Sequence, residues 1–362
     1  MLLSVPPAPY ADFIAALEMV QSQPLWDRYH RITTRHPKSL TAAHLWPWAV
    51  MEPLVDRAAC EVTMADAERR VLLFTQPEAI GSVDTMQNIS GGLQTLLPGE
   101  VAHAHRHTLA ALRFVMCGRG AVTTVNDQAC AMGEGDLVLT PSWTWHEHSH
   151  PGAGRMVWFD GLDLPLLHHI DSMFFEMAGP GLAAVDPMPS RAAMAPHAGA
   201  SLLPDSCDPA FQPSGGLASS RFSYNGRRAI DALAGSAPRG DGSRWLRYVD
   251  ASGQGPVLPT LDCYLLSLEK SQPTQALRST SSAICVVAEG EGISTIGGKL
   301  IAWRRNDVFT LPHWQWATHT AATAGARLFV MSDRELIAGM GYLREEVQQK
   351  EQQKDHIKEV RQ

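Results

Sequence analysis

Residues 99–107 read GEVAHAHRH and residues 135–148 read GDLVLTPSWTWHEH. Side chains two apart on a β-strand project from the same face. His105 and His107 therefore aim together, and His146, five positions past Pro141, reaches the same point from a facing strand. A shifted pair, His103 with His105, is the alternative, but the frame counted from Gly99 favours His105 and His107. Three imidazoles on one face of an octahedron leave three coordination positions open. A redox metal needs such an opening if two further ligands are to bind together, whereas structural zinc prefers a closed tetrahedral site.

The surrounding sequence is β-rich. From about residue 70, strand-length runs alternate with the turn signals Pro98-Gly99, Gly118-Arg119-Gly120, Asn126-Asp127 and Gly133-Glu134-Gly135, the pattern of an antiparallel sandwich or barrel. The pattern occurs twice. ALRFVMCGRGAVTTV precedes MGEGDLVLTPSWTWHEH, and SAICVVAEGEGISTI precedes AWRRNDVFTLPHWQWATH. Gly118 matches Gly290, Asp136 matches Asp307, Pro141 matches Pro312 and Trp145 matches Trp316, all at offsets of 171 or 172 residues. In this register the second copy carries Leu277, Ser279 and Ala317 in place of the three histidines and is expected to be metal-free. His313 and His319 fall out of register with those positions and read as surface or packing residues.

The expected fold is all-β dominated, two barrels with helical N- and C-terminal segments. The segments are 1–68, helical or irregular; 69–177, the metal-binding barrel; 178–243, a Gly/Pro/Ser-rich linker with some short helix; 244–333, the second barrel; and 334–362, a C-terminal helix and tail with Leu336, Met340, Leu343 and Val347 at helical spacing. A formal net charge of −7 argues against a general nucleic-acid binder. No apolar run reaches membrane-spanning length, and the N-terminus lacks the charged region of a signal peptide. Six cysteines without a C-x-x-C pair read as free thiols of a cytoplasmic protein.

Three histidines in a frame anchored by Gly99, Gly118, Gly135 and Pro141 form the two-part cupin motif. The chain resembles the bicupin ring-cleaving dioxygenases that act on gentisate, salicylate and 1-hydroxy-2-naphthoate. The resemblance is densest from Arg69 to Asp163, with TPSWTWHEH and WFDGLD its most specific phrases, and it includes PLWDRYHRITTRHPKS. It implies Fe(II) at His105, His107 and His146, an aromatic hydroxy acid and O2 as partners, and opening of the C1–C2 ring bond. It also implies a homotetramer. Many cupins place a Glu at the position of Ala111. Without that carboxylate the site keeps the full charge of a divalent ion and attracts an anionic chelating substrate. A non-catalytic acid-binding cupin is the rival from another class.

Arg113 shares parity with His107, so its guanidinium points inward and needs a carboxylate partner. That partner is the substrate, as the resemblance implies, or a protein acid such as Asp160. By resemblance His148 contacts substrate and moves a proton; a solvated loop histidine is the alternative. Arg69 and Gln94 match pocket positions, with Arg70 the alternative to Arg69, and Asp160 matches the acid of the WFDGLD phrase. Trp143 and Trp145 wall the pocket or pack in the core. Ser90, Gly91 and Gly92 are small, where the resemblance implies a Trp and an Ala at some of these positions, so the expected pocket has room for a substituent other than hydroxyl para to the chelating oxygen.

Overall fold

The computed structural model describes residues 8–39, 41–77, 82–178, 222–250 and 255–348. The chain divides into two units, 1–38 and 39–362. The first holds helices α1 (Ala8–Met19) and α2 (Tyr29–Ile32). There the Tyr10 hydroxyl donates to Asp27 at 2.5 Å and accepts from the Trp26 indole at 3.2 Å.

The second unit opens with β1 (Leu45–Trp46) and helices α3 (Trp48–Glu61) and α4 (Met64–Ala67). The first barrel follows: β2 (Arg70–Leu73), β3 (Ser90–Leu96), β4 (Val101–His107), β5 (Ala111–Cys117), β6 (Arg119–Val125), β7 (Gln128–Gly133), β8 (Leu137–Thr140), β9 (His146–Ser149) and β10 (Met156–Leu162). Helix α5 (Leu164–His169) and β11 (Phe175–Met177) close this copy. The second copy starts with β12 (Ser223–Tyr224) and α6 (Gly226–Gly235). Its barrel is β13 (Arg244–Tyr248), β14 (Asp262–Ser267), β15 (Leu277–Ser279), β16 (Ala283–Glu289), β17 (Glu291–Ile296), β18 (Lys299–Arg304), β19 (Val308–Leu311), β20 (Ala317–Ala321) and β21 (Arg327–Ser332). Helix α7 (Arg334–Gly339) and β22 (Glu345–Val347) complete it.

Each barrel is two antiparallel sheets. The first has β12-β8-β5-β10-β3-β2 against β11-β4-β9-β6-β7, and the second has β1-β19-β16-β21-β14-β13 against β18-β17-β20-β15-β22. The six-stranded sheets stack back to back. Phe114 and Phe329 lie parallel across that junction with ring centroids 4.2 Å apart, within one apolar cluster that also holds Leu93, Leu112, Phe159, Ile284 and Met331. Burial follows from this layering. Every residue of β3 is buried, because one face lines the barrel and the other meets the second barrel, whereas β6 and β17 alternate in exposure. The β6–β7 turn places Asn126 and Asp127 at positive φ, and the β17–β18 turn uses Gly297 and Gly298.

Short strands are exchanged between the barrels. β1 precedes the first barrel but pairs with β19 of the second, and β12 precedes the second but pairs with β8 of the first. The matched aspartates hold the following helices. Asp307 accepts from the Trp48 amide at 2.7 Å, and Asp136 accepts from the Gly226 amide at 2.8 Å. A second matched pair ties the copies reciprocally: Thr260 donates to Asp163 at 2.6 Å, and Asn88 donates to Asp333 at 2.7 Å. The closing Asp of WFDGLD is thus a barrel-to-barrel tie.

Two expectations change. The C-terminal apolar spacing does not continue as helix: α7 stops at Gly339, Gly341 turns the chain at φ 77°, and Val347 lies in β22. Pairing with β15 overrides the helical spacing there. In the stretch read as linker, residues 222–243 include β12 and the amphipathic helix α6, which buries Ala229 and Leu233, while 179–221 lie outside the described residues. We expect Phe329→Ala to cost about 3–5 kcal/mol, the range for truncating a buried phenylalanine. Urea unfolding would show this as a lower midpoint.

Candidate metal centre

β4 and β9 pair with His105 opposite His146, after a register shift between Ala102 and His105. His107, two residues along β4, joins them, and the donor atoms of the three side chains lie within 4.8 Å of one another. All three are buried, while His103 is exposed and stands outside the cluster. The His107 Nδ1 lies 2.9 Å from the Leu109 carbonyl and the His146 Nδ1 lies 3.0 Å from the Thr144 carbonyl. Donation there puts each proton on Nδ1 and frees Nε2 for a metal. The Nε2 of His146 and both ring nitrogens of His105 have no partner. Burial, assisted by Arg69 and Arg113, pushes His105 down to about 2 and His107 to about 4, with His146 also well below its ordinary value. The imidazoles are held neutral, the form that ligates. This donor set fits a divalent metal ion with open positions.

A polar row crosses the inner sheet beside the triad. Gly92 on β3, Asp160 on β10 and Arg113 on β5 are direct cross-strand partners, as are Gln94 and Trp158 one step along. Arg113 donates to Thr140 at 2.9 Å, and its Nε stands 3.6 Å from Asp160, too far for a hydrogen bond. Burial lowers the Arg113 pKa and raises that of Asp160, each opposed by the charge of the other. Arg69 donates to the His103 carbonyl at 2.9 Å, and burial pushes its pKa down to about 10. Arg70 points the other way, to Glu100 and the Ala59 carbonyl, so Arg69 is the arginine at the site. His148 is fully buried rather than solvated.

Buried polar atoms without partners concentrate here: Arg69 Nε and Nη1, both amide atoms of Gln94, Arg113 Nε, His148 Nε2 and Asp160 Oδ1. Folded proteins leave few such atoms, so a cluster of them beside the triad marks a place for a polar occupant.

Other parts of the site escaped the sequence reading. Arg106 sits between Trp143 and Trp145, its guanidinium carbon 4.3 and 4.7 Å from their ring centroids, and pairs with Glu176 at 2.7 Å. Glu176 lies on β11, whose Phe175 ring packs edge-on against His105 at 4.6 Å. The indoles thus grip Arg106 and brace the ligand strands. The second barrel repeats the clamp with Arg278, Trp314, Trp316 and Glu346. The signal was present as R-H beside W-T-W and L-R-S beside W-Q-W, but the cation–aromatic contact appears only on folding.

Three further placements revise the reading. Gly91 does not open the pocket, because a Cβ there would meet Phe159 at 2.6 Å. At Gly92 a Cβ would meet the Leu72 carbonyl at 2.9 Å, so glycine is required by strand packing. Ser90 is fully buried with an unpartnered hydroxyl. In the second barrel Leu277 pairs with Ala317, the register of His105 with His146. Of the two readings of His319, surface or packing, the second holds: it is buried, 2.7 Å from Ser294, and stands where His148 stands in the first barrel. We expect elemental analysis to find one metal ion per chain, lost in His105→Ala and His146→Ala and retained in His319→Ala. Two ions per chain would contradict the assignment.

The family model of the cupin domain matches residues 92–162. The chain is 36% identical to gentisate 1,2-dioxygenase 1 of Aquipseudomonas alcaligenes, over 92% of this chain and 95% of that one. It is 32% identical to 5-aminosalicylate 1,2-dioxygenase of a Comamonas species, over 89% and 86%. The solved structure of salicylate 1,2-dioxygenase from Pseudoaminobacter salicylatoxidans with gentisate superposes with a TM-score of 0.79 at 27% identity, covering 96% of each chain. A duplicated cupin with one three-histidine site, alike over nearly its whole length to these enzymes, belongs to the bicupin family of ring-cleaving gentisate, salicylate and hydroxynaphthoate 1,2-dioxygenases.

Proposed function

We propose that this dioxygenase binds Fe(II) through His105, His107 and His146 and opens the C1–C2 bond of gentisate or a 5-substituted salicylate with O2. One observation supports this reading: the three buried histidines stand beside Arg69, Gln94, Arg113, His148 and Asp160, each of which keeps at least one buried polar atom without a partner. Fe(II) bound by three imidazoles supplies the redox chemistry that joins O2 to a chelated ring. The chain's own residues bind and orient. Arg113 and Arg69 hold the substrate carboxylate, and Gln94 and His148 form hydrogen bonds with ring substituents. Asp160 keeps Arg113 in place at 3.6 Å without consuming its Nε donor. We keep domain limits of 69–177 and 244–333, to which the sheet pairing adds the exchanged strands β1 and β12 and the closing strand β22. No helix is long and apolar enough to cross a membrane among the described residues, and we assign the enzyme to the cytoplasm as a homotetramer on family likeness.

The substituent para to the chelating oxygen meets the end of β3. Ser90, whose buried hydroxyl has no partner, is the small residue we assign to that contact, since Gly91 and Gly92 are fixed by packing. A group such as amino, halogen or nitro is the expected tolerance, supported by the likeness to a 5-aminosalicylate 1,2-dioxygenase.

Two outcomes test this. Iron-loaded protein should take up O2 with gentisate and with 5-substituted salicylates, and Ser90→Trp should narrow that range. If wild type accepts gentisate alone, or the ranking is unchanged in Ser90→Trp, this position does not set specificity. Arg113→Ala should lower kcat/KM by about 2–5 kcal/mol, the cost of truncating one partner of a buried charge pair, while metal content stays constant. Near-normal turnover would assign the carboxylate to Arg69.

A further inference from the structure

Behind His148 lies a hydrogen-bond relay. Thr123 on β6 is the cross-strand partner of His148. Its Oγ1 is 2.8 Å from the His148 Nδ1 and 3.1 Å from the Met132 sulfur. All three residues are buried. A threonine hydroxyl owns one proton, and a thioether sulfur can only accept. Donating that proton to the sulfur turns the oxygen lone pairs toward Nδ1, which must then carry hydrogen. The His148 Nε2 is left with its lone pair, buried without a partner on the strand face that carries His146.

The second barrel holds the contrasting case. Thr123, Met132 and His148 correspond to Ser294, Trp303 and His319, each at an offset of 171 residues. Ser294 Oγ lies 2.7 Å from the His319 Nδ1, but here it accepts the Trp303 indole N–H at 2.8 Å. An acceptor in one barrel is replaced by a donor in the other. A hydroxyl that already accepts from the indole is placed to turn its own proton to Nδ1, the arrangement in which His319 carries its proton on Nε2.

We infer that Met132 and Thr123 hold His148 in the Nδ1–H tautomer, presenting a bare Nε2 that accepts a hydrogen bond from a hydroxyl group of the aromatic acid. His319 is held in the opposite tautomer by the Trp303–Ser294 pair. Thr123 and Met132 are positioning residues acting through His148. The tautomer assignment stands on hydrogen-bond geometry alone, and only the hydroxyl contact rests on the proposed substrate class.

The test uses full-length, Zn(II)-loaded protein labelled in its histidine rings, with NMR ring shifts that distinguish the tautomers and His148→Gln and His319→Gln to assign the signals. Wild type should show Nδ1–H at His148 and Nε2–H at His319. Met132→Leu, close in volume, removes the acceptor, frees the Thr123 proton for Nδ1 and should convert His148 to Nε2–H. In the iron enzyme the same variant should raise KM about tenfold, the scale of one lost hydrogen bond, with kcat much less affected. Thr123→Ser should keep the wild-type tautomer and KM; Thr123→Val, a second route, should lose the tautomer preference. An Nε2–H signal at wild-type His148, or an unchanged signal in Met132→Leu, overturns the assignment. A converted tautomer with unchanged KM overturns the substrate contact. Failure to turn over any aromatic hydroxy acid would count against the proposed activity and leave the NMR result standing.

Discussion

Charge imbalance inside the first barrel governs the rest of the site. Arg69 and Arg113 bring two guanidinium groups to the cavity and Asp160 brings one carboxylate, with Asp160 and Arg113 fully enclosed. Buried charge is costly unless paired and hydrogen-bonded. The three imidazoles are kept neutral, so they offer no compensation, and a divalent ion among them widens the positive excess. An anionic occupant therefore completes the interior electrostatically. The absence of a carboxylate at Ala111 works in the same direction.

That imbalance is sustained by rigid surroundings. The inner sheet carrying Arg113, Asp160 and Gln94 is buried on both faces, because the two barrels stack through it. The outer sheet carrying the histidines is braced by the Arg106 clamp and by β11. A cluster of incompletely partnered polar groups would tend to collapse or flood in a looser frame. Here the strands cannot close to satisfy those groups, since their register is set by packing on the far side.

Comparing the two barrels separates scaffold from chemistry. The aromatic–arginine clamp, the strand exchange, the helix-holding aspartates and the Asp163/Asp333 ties occur in both copies, so they belong to the duplicated frame. Among the described residues, the triad and the polar row occur in the first alone. The second interior is filled by Leu266, Val287, Trp303, Phe309 and Leu328. His148 and His319 span the divide: the same position and a similar partner, with the third residue changed from thioether to indole.

Much of this was legible in the sequence. Glycines, prolines and strand alternation are local signals, so the duplicated β architecture could be read directly. The triad was legible because His105, His107 and His146 sit at fixed offsets from Gly99 and Pro141, and the inward aim of Arg113 followed from parity with His107. Local spacing does not report what strikes a side chain from another strand. Tertiary structure alone decided that Arg69 and not Arg70 stands beside the triad, that Gly91 and Gly92 are packing residues, and that Val347 extends a sheet instead of a helix. It also decided that His319 is the buried counterpart of His148, and where the proton of each ring resides. Those outcomes depend on contacts between strands far apart in the chain, and a contact of that kind exists only once the sheets have closed.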